Sequence, residues 1–280
     1  MRVKYTWVAI IVFSYWLLHN LFASVFLRNN DKINVVFFGD TTRYYSIDKK
    51  GLDYYLTFPA NARVLVPGGY GYYRAGALSK LASLEKNPDL IRKTFSSATS
   101  SMVDLYFYPP ESRIFYEQSD RSGLNPSLYA VFFNPGNANF IDRFFIFWSL
   151  VGRGKNSYKE IKVSDDYVHD DFMEDHMGVF YKRSYRQSKL NVQIIYSSSY
   201  NTAHLISGIL DGEGIRVVDL TMSGDGPMNK CSILGSRENI NSVVVDGMKK
   251  FFNCRVEVGE TTVSDIILKL GTLEKDWAAD

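Results

Sequence analysis

The chain has 280 residues, 46% of them hydrophobic, which is enough to bury one large core or two ordinary ones and excludes a disordered chain. Its 32 basic and 30 acidic residues leave a net charge of +2, and basic residues cluster nowhere densely enough to track a nucleic-acid backbone. Nucleic acid is therefore excluded as a partner.

Thr6 to Leu27 is a stretch of 22 residues without a charge, about 33 Å long as a helix. It predicts an uncleaved transmembrane signal anchor over residues 6–27, because the apolar region is too long for a signal peptide and no Ala-x-Ala site closes it. Arg2 and Lys4 precede it, which keeps residues 1–5 in the cytoplasm and places the remainder outside. The expected localisation is the cell membrane, single-pass, with the C-terminal part extracytoplasmic.

Residues 28–32 read as a linker. Strands follow at Ile33–Phe38, Arg43–Ile47, Tyr54–Phe58 and Arg63–Val66, all β-branched or aromatic and separated by turn residues. The turn Pro67–Gly71 then reads as a reversal between strand and helix, since Ala77, Leu78, Leu81 and Leu84 share one helical face. Its glycines match neither the Walker nor the dinucleotide spacing, so the turn is not read as a phosphate cradle. Pro88 starts a second helix, Val103–Tyr108 returns to strand, and Phe140 to Val151 gives a helix with a wide apolar face, too charged at Asp142 and Arg143 to span a membrane. From about Leu190 a second module reads β-α-β-β-α-β-β, with helices on one face of a sheet. The fold class is α/β (α+β): a mixed-sheet domain over 33–187 and a small domain over 188–275.

Three groups of residues carry candidate chemistry. Asp166, His169, Asp170 and Glu174 share a side of a helix as metal ligands would, but an acidic solvated face explains them better. Ser197–Ser199 before His204 lacks a nucleophile elbow and reads as a helix cap. Cys231 and Cys254 each open a strand. In an oxidising compartment they predict a disulfide, stabilising by about 3 kcal/mol, with two buried thiols as the alternative.

"FFGD" at Phe37–Asp40, "TFPAN" at Thr57–Asn61, and "VPGGYGYYRAGAL" leading into a helix resemble, in order and spacing, the LytR-CpsA-Psr family of signal-anchored envelope proteins. "RSYRQ" at Arg183–Gln187 is similar to a late Arg-x-x-Arg-Gln motif of that family, and residues from about Leu190 to Gly271 resemble its LytR C-terminal domain in layout. Members transfer lipid-linked anionic glycopolymers to the cell wall, using arginines, aspartates and a divalent metal around a pyrophosphate. Here Ala60 stands where the family's arginine belongs and Asn61 where its aspartate does. The resemblance implies Asp40, Arg74, Arg183 and Arg186 as the remaining ligand-binding candidates, with no catalytic set, no metal and no cofactor. The expected function is a non-catalytic binding or assembly protein of the cell envelope. Its expected partners are the membrane through residues 6–27 and an envelope polymer, a polyprenyl lipid or another envelope protein. The alternative is an active phosphotransferase with a divalent metal such as Mg.

Overall fold

A computed structural model of the chain describes residues 2–28, 31–116, 126–151, 157–164, 166–224 and 230–279, with side chains from residue 7 onward. Helix α1 (Arg2–Ala23) is followed by the short α2 (Val25–Arg28). Between them Ser24 leaves the helix, and its Oγ donates to Asp142 Oδ1 at 2.6 Å while the Phe26 amide donates to the same oxygen at 2.8 Å. The Phe26 ring stacks on Phe145 at 5.1 Å. Residues 24–28 thus belong to the folded domain and are lost to any span. Among the described residues no helix is long and apolar enough to cross a membrane, which overturns the transmembrane anchor expected over residues 6–27.

The chain then lays down β1 (Lys32–Phe37), β2 (Thr42–Asp48) and β3 (Asp53–Phe58) as an antiparallel meander. Next comes a separate hairpin, β4 (Arg63–Val66) and β5 (Gly71–Arg74). A 3-10 turn (Ala75–Ala77) leads into α3 (Leu78–Leu84) and α4 (Asp89–Thr99). Strand β6 (Leu105–Phe107) pairs parallel to β1; α5 (Leu128–Phe132) and α6 (Phe140–Val151) follow, and β7 (Tyr158–Lys162) pairs parallel to β3. The five strands lie in the order β6-β1-β2-β3-β7.

Alternation along the strands divides their side chains between two cores, as a period of two requires. Val36, Tyr44, Leu56 and Phe58 face α3, α4 and the hairpin. Ile33, Val35, Tyr45 and Ile47 face Phe26, Val131, Ile146 and Leu150 of α2, α5 and α6. The domain is therefore three-layered, with the sheet in the middle.

Helices α7 (His169–His176) and α8 (Arg183–Ser188) lead to the second module: β8 (Asn191–Tyr196), α9 (Tyr200–Glu213), β9 (Arg216–Met222), β10 (Ser232–Gly235), α10 (Val243–Phe252), β11 (Arg255–Val258), β12 (Ile266–Lys269) and α11 (Leu273–Asp276). The sheet order is β11-β10-β12-β8-β9. Ile194, Ile233 and Leu268 pack under Ile206 and Ile209 of α9, Val245 and Met248 of α10, and Trp277. Both long helices are capped as their sequences dictate. Ser199 and Ser242 accept the Thr202 and Val245 amides at the starts, and Gly214 and Asn253 take left-handed backbone at the ends. Cys231 and Cys254 form a disulfide, with Cα atoms 4.9 Å apart, where β10 and β11 run in parallel.

One element differs in kind from the sequence reading. The Pro67–Gly71 turn joins two strands, and the reversal into helix comes only after Arg74. Gly68, Gly69 and Gly71 all have positive φ, a backbone region open to glycine, and this closes a hairpin.

A buried polar network joins the two domains. Lys182 Nζ lies 2.9 Å from Asp104 Oδ1 and 2.9 Å from Glu213 Oε1. Asp104 Oδ2 accepts the Asn34 amide on β1, and Glu213 Oε2 accepts the Met102 amide, at 2.9 and 2.8 Å. Burial alone would lower the Lys182 pKa, but the two carboxylates more than offset it and hold the ammonium well above its ordinary value. Nearby, a Cβ on Gly212 would fall on the Ser100 carbonyl oxygen, so glycine lets α9 approach the end of α4.

Candidate functional site

The residues singled out in the sequence do not converge. Asp40 lies in the exposed bend beyond β1, where its Oδ1 accepts the Thr41 amide at 2.8 Å. Arg74 ends β5, exposed and directly opposite Arg63 on β4. Arg183 opens α8 at the other end of β1: its guanidinium lies 3.4 Å from Asp31 and 2.7 Å from Asp48, and Asp48 pairs with Lys32. The six residues of β1 separate that end from Asp40 by about 20 Å. No single pyrophosphate touches both. Ala60 is buried and Asn61 exposed.

The amides of the glycine turn are occupied by the chain itself. Gly68 N and Gly69 N both donate to the Ala278 carbonyl, at 2.9 and 3.1 Å. The turn thereby holds the C-terminal segment against the hairpin.

The three serines before α9 also surround an internal anion. Glu274 Oε1 accepts the Ser197 amide at 2.5 Å, while Oε2 accepts the Ser198 and Ser199 amides and the Ser198 hydroxyl at 2.7, 3.1 and 2.6 Å. Burial pushes the Glu274 carboxyl up, but these hydrogen bonds more than offset it, and it titrates below the usual carboxylate range. A depressed pKa means stability that is present above the ordinary carboxylate pKa and lost as pH falls through the folded value. Glu274→Ala is expected to cost about 2 kcal/mol near neutral pH, because three amides lose a charged partner. Urea titrations at neutral and acid pH check it: the wild type and variant should converge toward low pH, and a constant gap would count against the assignment.

A divalent metal does not fit the donors present. Asp40 has one oxygen committed to Thr41, Asn61 is neutral, and His169 sits against the Tyr167 hydroxyl at 3.2 Å, its pKa lowered by burial. Among the described residues no group of three or more His, Cys, Asp or Glu side chains is arranged to hold one.

What the fold does assemble is a cleft of about 470 Å³ between α8 and the edge of the second module, lined by Tyr181, Tyr185, Arg186, Lys189, Asn191, Asp211 and Arg216. Arg186 rests over the Tyr181 ring, 5.3 Å from its centroid, which holds the guanidinium in place. Lys189 is set by the left-handed end of α8, and Arg216 by the first residue of β9. Among the described residues none of these three cations is in an ion pair. Among the described residues that line the cleft Asp211 is the one acid, and Asp265 lies just behind it, spent on the Asn191 amide and side chain. Burial raises the Asp211 pKa, and its Oδ1 is taken by the Val217 amide at 2.9 Å. Burial also pushes the Tyr185 phenol up to about 12, so it stays neutral. The lining itself carries three cations against one carboxylate.

Of the expected set only Arg186 belongs to this cleft. Lys189 and Arg216 escape sequence reasoning, because a lysine after a short helix and an arginine opening a strand carry no spacing signal. Their proximity arises only in the fold, where the pairing of Asn191 with Arg216 brings the start of β9 beside the segment that follows α8.

No protein-family model matches the chain, and no curated protein matches it. Among solved structures, the transcriptional regulator yvhJ from Bacillus subtilis resembles part of it, at 10% identity over 49% of this chain and 84% of that one, with a TM-score of 0.34. A likeness that shallow bears on neither fold nor function.

Proposed function

We propose that the chain is a non-catalytic binding protein of the cell envelope, degenerate within the LytR-CpsA-Psr family, which holds an anionic polymer in the cleft beside α8. The observation that carries this reading is the fate of the transfer residues. Arg183 is neutralised by Asp31 and Asp48, Asp40 stands at the far end of β1, and Arg74 is exposed on the separate hairpin. Phosphoryl transfer needs positive charge and a metal-holding carboxylate aimed at one group, and losing one such group costs about a hundredfold or more in rate. Binding needs only the unpaired cations, which the cleft supplies. The Cys231–Cys254 disulfide supports work outside the reducing interior of a cell.

Arg186→Gln with Arg216→Gln is expected to weaken binding of a phosphate-bearing glycopolymer by about tenfold or more, since each charge-assisted contact contributes about 1.5–3 kcal/mol. Wild-type binding should weaken with added salt. Calorimetric titration of the full chain reads both. Unchanged affinity in the double variant would rule out this cleft.

A further inference from the structure

We propose that two copies of this chain pair along β9, antiparallel about a two-fold axis at Leu220, so that their second-module sheets join into one. A sheet ends in unpaired backbone groups, and folded proteins blunt such edges with short strands or charged side chains. Three of the four edges of the two five-stranded sheets follow that rule. Strand β6 has only three residues, β7 exposes Lys159, Glu160 and Lys162, and β11 has four residues with Arg255 and Glu257 exposed. The fourth edge, β9, has seven residues, and from Val218 to Met222 it carries a single charge, Asp219. Val218 and Met222 are exposed by 41% and 61%. Among the described residues β9 pairs with β8 alone, and its backbone has one partner outside that ladder, Asp211 Oδ1 at the Val217 amide.

The sequence of the strand selects a second copy as the occupant. Gln193 of β8 donates to Asp219 and Thr221, which places both on the sheet face away from the helices. Leu220 packs toward the helices, and by alternation Val218 and Met222 share its face. A two-fold axis at Asp219 would set two carboxylates opposite each other, which destabilises a strand pair. An axis at Leu220 sets Val218 opposite Met222 of the second copy at both ends, Leu220 opposite itself, and Asp219 opposite Thr221. The exposed apolar row then closes on its own image and no like charges meet. An unrelated peptide would have to bring a matching row; a second copy brings it by symmetry. Arg216 and the occupied Val217 amide fall outside the paired stretch, so the contact does not draw on the cation that β9 gives to the α8 cleft.

Sedimentation of the full chain at about 100 µM tests the contact, a concentration at which a small two-fold interface is populated. A dimer is expected, weakened about tenfold or more by Val218→Lys with Met222→Lys, since lysine blunts an edge and both side chains are exposed. Introduced cysteines read the register and do not depend on the lysine variant folding. Val218→Cys with Met222→Cys should oxidise to a linked dimer, because the two positions face each other across the axis. Val218→Cys alone should not, since its two copies lie about 13 Å apart along the strands, beyond the reach of a disulfide. The native cysteines are already joined to each other. A chain that stays monomeric would overturn the proposal. So would a dimer that both lysines leave intact, which would assign association to another face, or linkage through Val218→Cys alone.

Discussion

Replacing Lys182 with alanine is expected to cost about 3–5 kcal/mol of stability, read as a lower urea midpoint at unchanged slope. Lys182 is buried and shared between Asp104 and Glu213, so its loss strands two carboxylates, Glu213 fully out of water. The network also spans the two domains, with Asn34 and Met102 amides on one side and Glu213 of α9 on the other. Because the pKa of Lys182 is raised, its contribution is complete below the ordinary lysine value and disappears only as pH rises through the folded one. Wild type and variant should therefore differ across neutral pH and converge only in strong alkali. Lys182→Met with Glu213→Leu should recover part of the loss, since replacing a whole buried ionic group is far less costly than breaking it. A cost below about 1 kcal/mol for Lys182→Ala would mean the interdomain contact rests on apolar packing alone.

Removing the disulfide, by Cys231→Ala with Cys254→Ala, is expected to cost about 3 kcal/mol, the chain-entropy value for a loop of 23 residues. Both sulfurs lie in the core of the second module with Ile233, Met248 and Phe252, so unfolding should begin there and spare the first sheet. Hydrogen exchange by segment separates the two modules. Thiol labelling of the denatured, unreduced chain from its native compartment should modify neither cysteine. Labelling of both would remove the compartment argument as well as the stabilisation.

The elements read most directly from sequence are those whose ends carry their own signals. Helix α4 begins after Pro88, and α9 runs from the Ser199 cap to left-handed Gly214. Strands β1, β2 and β3 follow from runs of β-branched and aromatic residues between turns. Strand β5 is hidden because it is only four residues long and its Tyr72-Tyr73 pair runs directly into a helical face. It forms because positive φ at three glycines turns the chain back on β4. Asp142 reads only as a charge that keeps its helix out of a membrane, yet it is buried because Ser24 and Phe26, more than a hundred residues earlier, need its oxygens. The same contact ends the apolar helix that reads as a membrane span. Lys182 gives no signal, since its carboxylates lie 78 residues before it and 31 after it. Local pattern reports the elements; which charges are free and which are spent depends on pairings that only the fold brings together.

The most direct measurement mixes the full chain with a lipid-pyrophosphate-linked anionic glycopolymer and Mg²⁺, and follows polymer retained on the protein and polyprenyl phosphate released. Retention lost in Arg186→Gln with Arg216→Gln, and no release at any time, is the predicted result. Metal-dependent release of polyprenyl phosphate that Asp40→Ala or Arg74→Ala abolishes would contradict it.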